Sequence, residues 1–170
     1  MRMQTKEELE LWYRKPDPWG YKSNPDDHYR RDAILDALRP FGQFTNALDI
    51  GCGEGFITKD LPAGKLYGID ISETAIKRLP PTVRGIDETF ALTMPKFDLV
   101  ITTGTLYWQY DHLKIAELVK KMAGRIVLVS GIKDWLVDYD FGEILSSRTF
   151  IYRQYEQKLT VYQVRNEAGA

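Results

Sequence analysis

Two rhythms of apolar and polar positions alternate along this chain. Short apolar runs occur at Ala47-Leu48-Asp49-Ile50, within Lys65 to Ile71 (LYGIDI), at Thr82 to Ile86, at Phe97 to Thr102 (FDLVIT) and at Arg125 to Ser130 (RIVLVS). Runs of this length bounded by Gly and Pro read as buried strands. Between them the apolar spacing turns helical. Tyr29, Ala33, Ile34, Ala37 and Leu38 share one face, as do Ile115, Leu118, Val119 and Met122 within Asp111 to Met122. The first of these helices has a start signal in Asn24-Pro25-Asp26-Asp27: a capping side chain, a proline at the first helical position and two acids at the positive end of the dipole. Pro40 and Gly42 end it. Phe56 to Leu61 predicts a further helix up to Pro62, and Ser72-Glu73 opens another that stops at Pro80-Pro81. Gly124 breaks the helix that ends near Met122. A short helix is expected near Phe141 to Leu145, then two strands at Arg148 to Arg153 and Leu159 to Val164, rich in Tyr, Val, Thr and Phe. Residues 166–170 should fray.

Strands that alternate with helices, with strand cores apolar throughout, imply a parallel sheet covered on both faces. The final strand pair breaks the alternation and adds an antiparallel strand at the edge. The fold class is therefore α/β: one Rossmann-like, doubly wound, seven-stranded and mostly parallel sheet. Residues 24–170 carry this unit. Residues 1–23 are polar and aromatic, interrupted by Pro16, Pro18 and Gly20, and read as an arm or lid. Its Trp12, Tyr13, Trp19 and Tyr21 are candidates for an acceptor-pocket wall.

Composition narrows the classes. The length of 170 residues suits one domain, and 44% hydrophobic with 28% charged residues is ordinary for a globular chain. The 23 basic and 24 acidic residues leave a net charge of −1, which argues against a nucleic-acid partner. The single cysteine, Cys52, excludes an internal disulfide, and two histidines argue against a zinc site. No apolar run approaches the roughly 20 residues of a membrane span, nor a signal-peptide core, so no membrane and a cytoplasmic location are expected.

Candidate chemistry concentrates after the first strand, where Asp49 precedes Gly51, Gly53 and Gly55. Glycines here let backbone approach a ligand and leave N–H groups free at a strand's carboxyl end, the place where such sheets bind ligands. A dinucleotide loop would carry a third glycine where Phe56 stands, and a carboxylate at Asp49 is unhelpful beside a pyrophosphate. It suits an ammonium or a sulfonium. A second acid, Asp70, ends the next strand 21 residues on, positioned for two ribose hydroxyls.

LDIGCGEG followed by YGIDIS resembles motifs I and II of the class I S-adenosylmethionine (SAM)-dependent methyltransferases. FDLVITTGTLYW and RIVLVS resemble that family's fourth and fifth strands. The likeness runs from about Asn24 to Val164. DPWGYKSNPDDHYRR is similar to the start of the NodS-like group, small methyltransferases acting on amino groups, including those of sugars. That group usually reads Tyr-Glu-Arg where this chain has Tyr29-Arg30-Arg31.

The resemblance implies the class I methyltransferase fold, SAM as cofactor with S-adenosylhomocysteine (SAH) as product, and no metal. By position, Asp49, Gly51, Cys52 and Gly53 would cradle the methionine part, with Gly55 letting the helix start. Asp70 would hold the ribose and Ile71 would pack on adenine. Asp87 and Glu88 would lie near the adenine amino group. Thr103 and Gly104, with Thr105, would lie beneath the sulfonium. Trp19, Tyr29 and Arg31 would close over the methionine end, with Arg31 on its carboxylate. Tyr107 and Trp108 follow the fourth strand toward the acceptor. Tyr107, Asp111, His112 and His28 are candidate bases, with Tyr107 and His112 as the catalytic pair. The expected partner is a small-molecule acceptor, most readily an amine. O-methylation, SAM binding without catalysis, and an NAD-dependent oxidoreductase are the alternatives. The stretch Thr102-Thr103-Gly104-Thr105 lacks the Asn/Asp-Pro-Pro-Tyr tetrapeptide of amino-methylating nucleic-acid enzymes.

Overall fold

The computed structural model describes residues 2–166, so the expected fraying of residues 167–170 lies outside the described residues. The chain opens with α1 (Lys6–Trp12), capped by a reciprocal box in which Thr5 accepts from the Glu8 N–H and Glu8 from the Thr5 N–H. The order then runs α2 (Pro25–Leu38), β1 (Phe44–Ile50), β2 (Ala63–Ile69), α3 (Glu73–Lys77), β3 (Val83–Gly85), α4 (Glu88–Ala91), β4 (Phe97–Thr103), α5 (His112–Met122), β5 (Ala123–Ile132), β6 (Glu143–Tyr152) and β7 (Tyr155–Gln163). Asn24 caps α2, Asp111 caps α5 and Ser72 caps α3, each through its side chain.

The seven strands form one sheet in the order β3-β2-β1-β4-β5-β7-β6. The first five are mutually parallel; β7 runs antiparallel between β5 and β6. Side chains of successive strand residues point to opposite faces. Leu99 and Ile101 thus enter one core with Ala33, Ile34 and Leu38 of α2. Val100 enters the other, with Ala91 of α4 and Ala116, Val119 and Met122 of α5. Both layers are covered, which is why β1 and β4 read as continuous apolar runs. After β1 the chain winds outward to β2 and β3, then returns to β4 on β1's other side, so the switch in winding falls between β1 and β4.

Two expected helices are absent. Residues 56–61 form only a 3₁₀ turn, Thr58–Asp60. Pro62 holds the preceding Leu61 extended, at φ −62° and ψ 139°, so helical backbone cannot run on through it. Their apolar side chains still pack: Ile57 and Leu61 are buried on the α2 face. No helix forms over residues 141–145; residues 143–145 begin β6 instead, because Gly142 brings the backbone onto Gln163 and Glu143 pairs with Gln163 of β7. Gly124 does not interrupt; it lies inside β5, where a Cβ would meet the Phe97 carbonyl at 3.1 Å.

The N-terminal residues lie along the carboxyl ends of the strands. Gln4 N–H donates to the Gln109 carbonyl at 3.0 Å, and Thr74 donates to Glu10 at 2.6 Å. Arg78 holds the Tyr13 carbonyl at 2.7 Å. At the far side the β6–β7 turn, with Arg153 at φ +52°, reaches the start of α2: Arg153 donates to Asp27 at 2.7 Å and to the Trp19 carbonyl at 3.1 Å. No helix among the described residues is long and apolar enough to cross a membrane.

Candidate functional site

The carboxyl ends of β1 and β4 open into a cavity of about 600 Å³, within the range of small-molecule sites. The turn after β1 is held by Ile69, whose carbonyl accepts from Gly51 N–H at 2.8 Å and Cys52 N–H at 3.0 Å. Gly51 sits at φ +80°, and a Cβ there would lie 2.1 Å from Thr105 Cγ2. A Cβ on Gly53 would come within 2.9 Å of the Tyr13 hydroxyl. These two positions therefore exclude any side chain, and the loop offers backbone to the cavity.

Asp49 is 2% exposed. Thr58 donates to its Oδ2 at 2.7 Å, while Oδ1 has no partner among the described residues. Burial pushes its pKa up to about 7, partly opposed by the Thr58 hydrogen bond. Asp70 accepts from Gly53 N–H at 2.8 Å and Ser72 N–H at 2.9 Å, so it braces the glycine loop against α3. Burial raises its pKa as well. The Cys52 thiol is buried and its pKa is raised by desolvation; it fills space against Gly68 and is no nucleophile.

Of the residues singled out in the sequence, the structure brings Tyr13, Trp19, Tyr21, Arg31, Asp49, Gly51, Cys52, Gly53 and Thr103 to the cavity wall. Tyr13 is buried and accepts from Trp19 Nε1 at 3.3 Å. Trp12 lies half-exposed behind them, 5.2 Å from the Trp19 ring.

The others stand elsewhere, for identifiable reasons. Tyr29 points away from the cavity, its ring edge-on to Phe150 at 5.4 Å, because its neighbours Arg30 and Arg31 take the inward side of α2. Ile71 follows the end of β2 and is 51% exposed. Asp87 caps α4, accepting from Phe90 N–H at 2.7 Å, and Glu88 pairs with Lys114 at 3.2 Å. Gly104 turns at φ +68° with its N–H on Ser130. The Tyr107 hydroxyl accepts from Ile132 N–H at 2.7 Å and its ring packs against Trp135, which makes it a pin between β5 and the loop after β4. Trp108 is held to the Trp135 carbonyl through its backbone. His112 Nδ1 bonds the Tyr139 hydroxyl at 2.5 Å, away from the cavity.

Arg30 is the residue that sequence reasoning passed over. It is 5% exposed, lies over the Tyr21 ring at 5.0 Å and the Tyr152 ring at 5.4 Å, and pairs with Asp27 at 3.3 Å. Arg30 lines the cavity, and its Nε has no partner among the described residues. Arg31 is occupied outward by Asp32 and Asp60. The departure from Tyr-Glu-Arg at Arg30 was the available signal. Of the candidate bases, His28 is the one on the wall. Its Nε2 lies 2.8 Å from the Lys22 carbonyl, so Nε2 carries the proton and Nδ1 is the basic nitrogen.

These residues suit the two ends of an amino acid moiety. A buried carboxylate with one unpartnered oxygen faces an ammonium's needs, and a buried guanidinium with an unpartnered N–H faces a carboxylate's.

Residues 48–124 match the family model described as a methyltransferase domain. The mitochondrial arginine-hydroxylase NDUFAF5 of Rattus norvegicus is 34% identical over 117 residues, which is 62% of this chain and 33% of that protein. The chain thus spans about a third of the length of that relative. Nodulation protein S of Sinorhizobium fredii is 27% identical over 120 residues, 65% of this chain and 56% of that one. Among solved structures, the N-methyltransferase NodS of Bradyrhizobium japonicum with SAH superposes with a TM-score of 0.79 at 18% identity, covering 95% of this chain and 98% of that one. The magnesium protoporphyrin IX methyltransferase ChlM of Synechocystis with SAM gives 0.71 at 16% identity, covering 96% and 98%. The strand order and the superpositions give this chain the class I methyltransferase fold, and within it residues 48–124 match the methyltransferase-domain model.

Proposed function

We propose that this protein is a SAM-dependent methyltransferase acting on an amine of a small-molecule acceptor. The observation that carries the reading is the pair of buried, unpartnered groups on one cavity wall, Asp49 Oδ1 and Arg30 Nε. They complement the ammonium and carboxylate of the methionyl part of SAM. A pyrophosphate would meet Asp49 unfavourably, which weighs against a dinucleotide. When bound, SAM supplies an electrophilic methyl carbon; the amine lone pair takes it as the carbon–sulfur bond breaks and its electrons return to sulfur.

The chain's own residues orient and desolvate. Asp49 takes the ammonium, and Arg30 rather than Arg31 takes the carboxylate, because Arg31 is already engaged by Asp32 and Asp60. Asp70 keeps the glycine loop in register with α3. Tyr13, Trp19 and Tyr21 of the N-terminal arm exclude water from the reacting centre. The attacking amine must be neutral, and His28 Nδ1 is the basic nitrogen on the wall that takes its proton. The name of the NodS relatives, an N-methyltransferase, supports nitrogen over oxygen.

Calorimetric titration with SAM, SAH and NAD tests the cofactor. Saturable heat with SAM and SAH is expected; heat with NAD and none with SAM overturns the reading. Methyl transfer from labelled SAM to a panel of primary amines and of alcohols then tests nitrogen against oxygen.

A further inference from the structure

One carboxylate serves two guanidiniums behind the cavity wall. Asp27 Oδ2 accepts from Arg153 at 2.7 Å, and Oδ1 accepts from the Tyr152 hydroxyl at 2.7 Å and from Arg30 at 3.3 Å. Both guanidiniums lie 5.4 Å from the centre of the Tyr152 ring. Asp27 is fully buried and Arg30 nearly so, while Arg153 is about one-third exposed. Among the described residues, no other carboxylate is in ion-pair contact with either arginine. The cluster therefore sets two positive charges against one negative charge, largely out of water, where an uncompensated charge is costly.

The sharing is unequal. Arg153 takes the short contact on Oδ2, whereas Arg30 shares Oδ1 with Tyr152 at the longer distance and keeps an unpartnered Nε. Arg30 lines the cavity and Arg153 is not part of its wall, so the surplus charge is presented on the cavity side by Arg30. Arg153 is fixed from outside. It stands at φ +52° in the β6–β7 turn, a left-handed backbone that residues with a Cβ seldom hold, and its N–H donates to Asp26 at 2.9 Å. Strain of this kind persists where surrounding contacts over-determine it, and it gathers at functional sites.

We infer that Arg153 is a positioning residue of the cofactor site: by neutralising Asp27 from behind, it leaves the charge of Arg30 free for the carboxylate of the bound ligand. Without Arg153, Asp27 pairs with Arg30 alone and the ligand's carboxylate must compete with it. The carboxylate rests on the methyltransferase reading; the shared charge does not.

Calorimetry on the full chain compares SAH with S-adenosyl-3-thiopropylamine, the same thioether and amine without the carboxylate. The parent is expected to bind SAH about tenfold or more tighter. Arg153→Gln is expected to remove most of that preference while leaving the affinity for the thiopropylamine within about twofold, with partial rescue by Arg153→Lys. Circular dichroism checks that the variants fold. Arg153 also donates to the Trp19 carbonyl at 3.1 Å, and a role confined to anchoring the N-terminal arm there would weaken both ligands alike. Equal weakening, an unchanged preference in Arg153→Gln, or no preference in the parent overturns the positioning role. Urea unfolding of Arg30→Gln, Arg153→Gln and the double variant, all without ligand, tests the shared charge. Either arginine alone still compensates Asp27, so the double variant is expected to raise the unfolding constant about tenfold or more beyond the product of the two single changes. An unfolding constant equal to that product overturns the shared charge and the inference with it. A parent that binds neither ligand overturns the cofactor reading and the carboxylate's part in it, while the unfolding cycle still decides the shared charge.

Discussion

The hydroxyl of Tyr152 donates to Asp27 Oδ1 at 2.7 Å, joining the β6–β7 turn to the first turn of α2. Asp27 is fully buried and also serves Arg153 at 2.7 Å and Arg30 at 3.3 Å. It is the counter-charge that lets Arg30 stay buried on the cavity wall. Asp27→Ala leaves that guanidinium uncompensated and is expected to destabilise the fold by about 3–5 kcal/mol. Tyr152→Phe removes one hydrogen bond to a charged group and costs about 1.5–3 kcal/mol. Urea unfolding measures both; an Asp27→Ala cost no larger than that of Tyr152→Phe contradicts the role given to its charge.

At Gly51 the backbone is left-handed, φ +80°, and the space a methyl would need is held by Thr105 Cγ2 at 2.1 Å. Gly51→Ala should therefore cost about 1–3 kcal/mol from backbone strain alone, with the clash added. Pairing it with Thr105→Ser removes the obstructing methyl but not the strain. A double variant that regains part of the lost stability, read by thermal unfolding, supports the separation; one that regains none shows that strain alone governs the site.

Asp70 binds two backbone N–H groups, one on the glycine loop and one on the turn into α3. Asp70→Ala releases the loop and is expected to weaken SAH binding by about 1–3 kcal/mol. Calorimetry on a variant whose circular dichroism matches the parent gives the answer; unchanged affinity would remove Asp70 from the account.

Much of this was legible before any coordinates. The central strands β1, β4 and β5 announce themselves because burial on both faces demands unbroken apolar runs, as at Leu99-Val100-Ile101. Asn24, Ser72 and Asp111 announce helix starts because a cap needs a short polar side chain at one defined position. The failures have two causes, a local stop in one place and tertiary pairing in the other. Phe56, Ile57 and Leu61 have the spacing of a buried helical stripe, but the chain between Gly55 and Pro62 allows only one turn. Residues 143–145 extend because β7 offers them a ladder. The α1 helix has a legible signal in Thr5 and Glu8, three apart, just before the aromatic positions that read as a lid. Which arginine of the pair Arg30-Arg31 turns inward depends on where Asp27, Asp32 and Asp60 stand, and only Asp32 is adjacent in sequence.

His28 stands on the wall with Nε2 held by the Lys22 carbonyl, leaving Nδ1 to accept a proton. If it deprotonates the acceptor, His28→Gln should lower kcat/KM about 10²-fold near neutral pH while leaving SAH affinity within twofold. The deficit should shrink above the acceptor's own pKa, where the neutral amine is abundant without help. A deficit constant across pH would assign His28 to positioning instead.

The most direct test of the reading of Asp49 is thermodynamic. Its folded pKa is raised by burial to about 7, above the ordinary carboxylate value it regains on unfolding. Between about pH 4 and pH 7 the folded chain holds a proton that the unfolded chain releases. The favourable contribution is therefore fully present below pH 4 and is lost as pH rises through 7. The difference in unfolding free energy between the parent and Asp49→Asn, which cannot titrate, should fall by about 4 kcal/mol over that interval and level off above pH 8. A flat difference would mean that Asp49 is ionised in the folded chain throughout. Ligand binding gives the same group a second readout. An ammonium brought beside Oδ1 favours the carboxylate, so SAH binding at pH 6–7 must release protons. Binding heats measured in buffers of different ionisation enthalpy report that release directly, and Asp49→Asn should abolish it. Proton release that survives the substitution would place the ammonium elsewhere in the cavity.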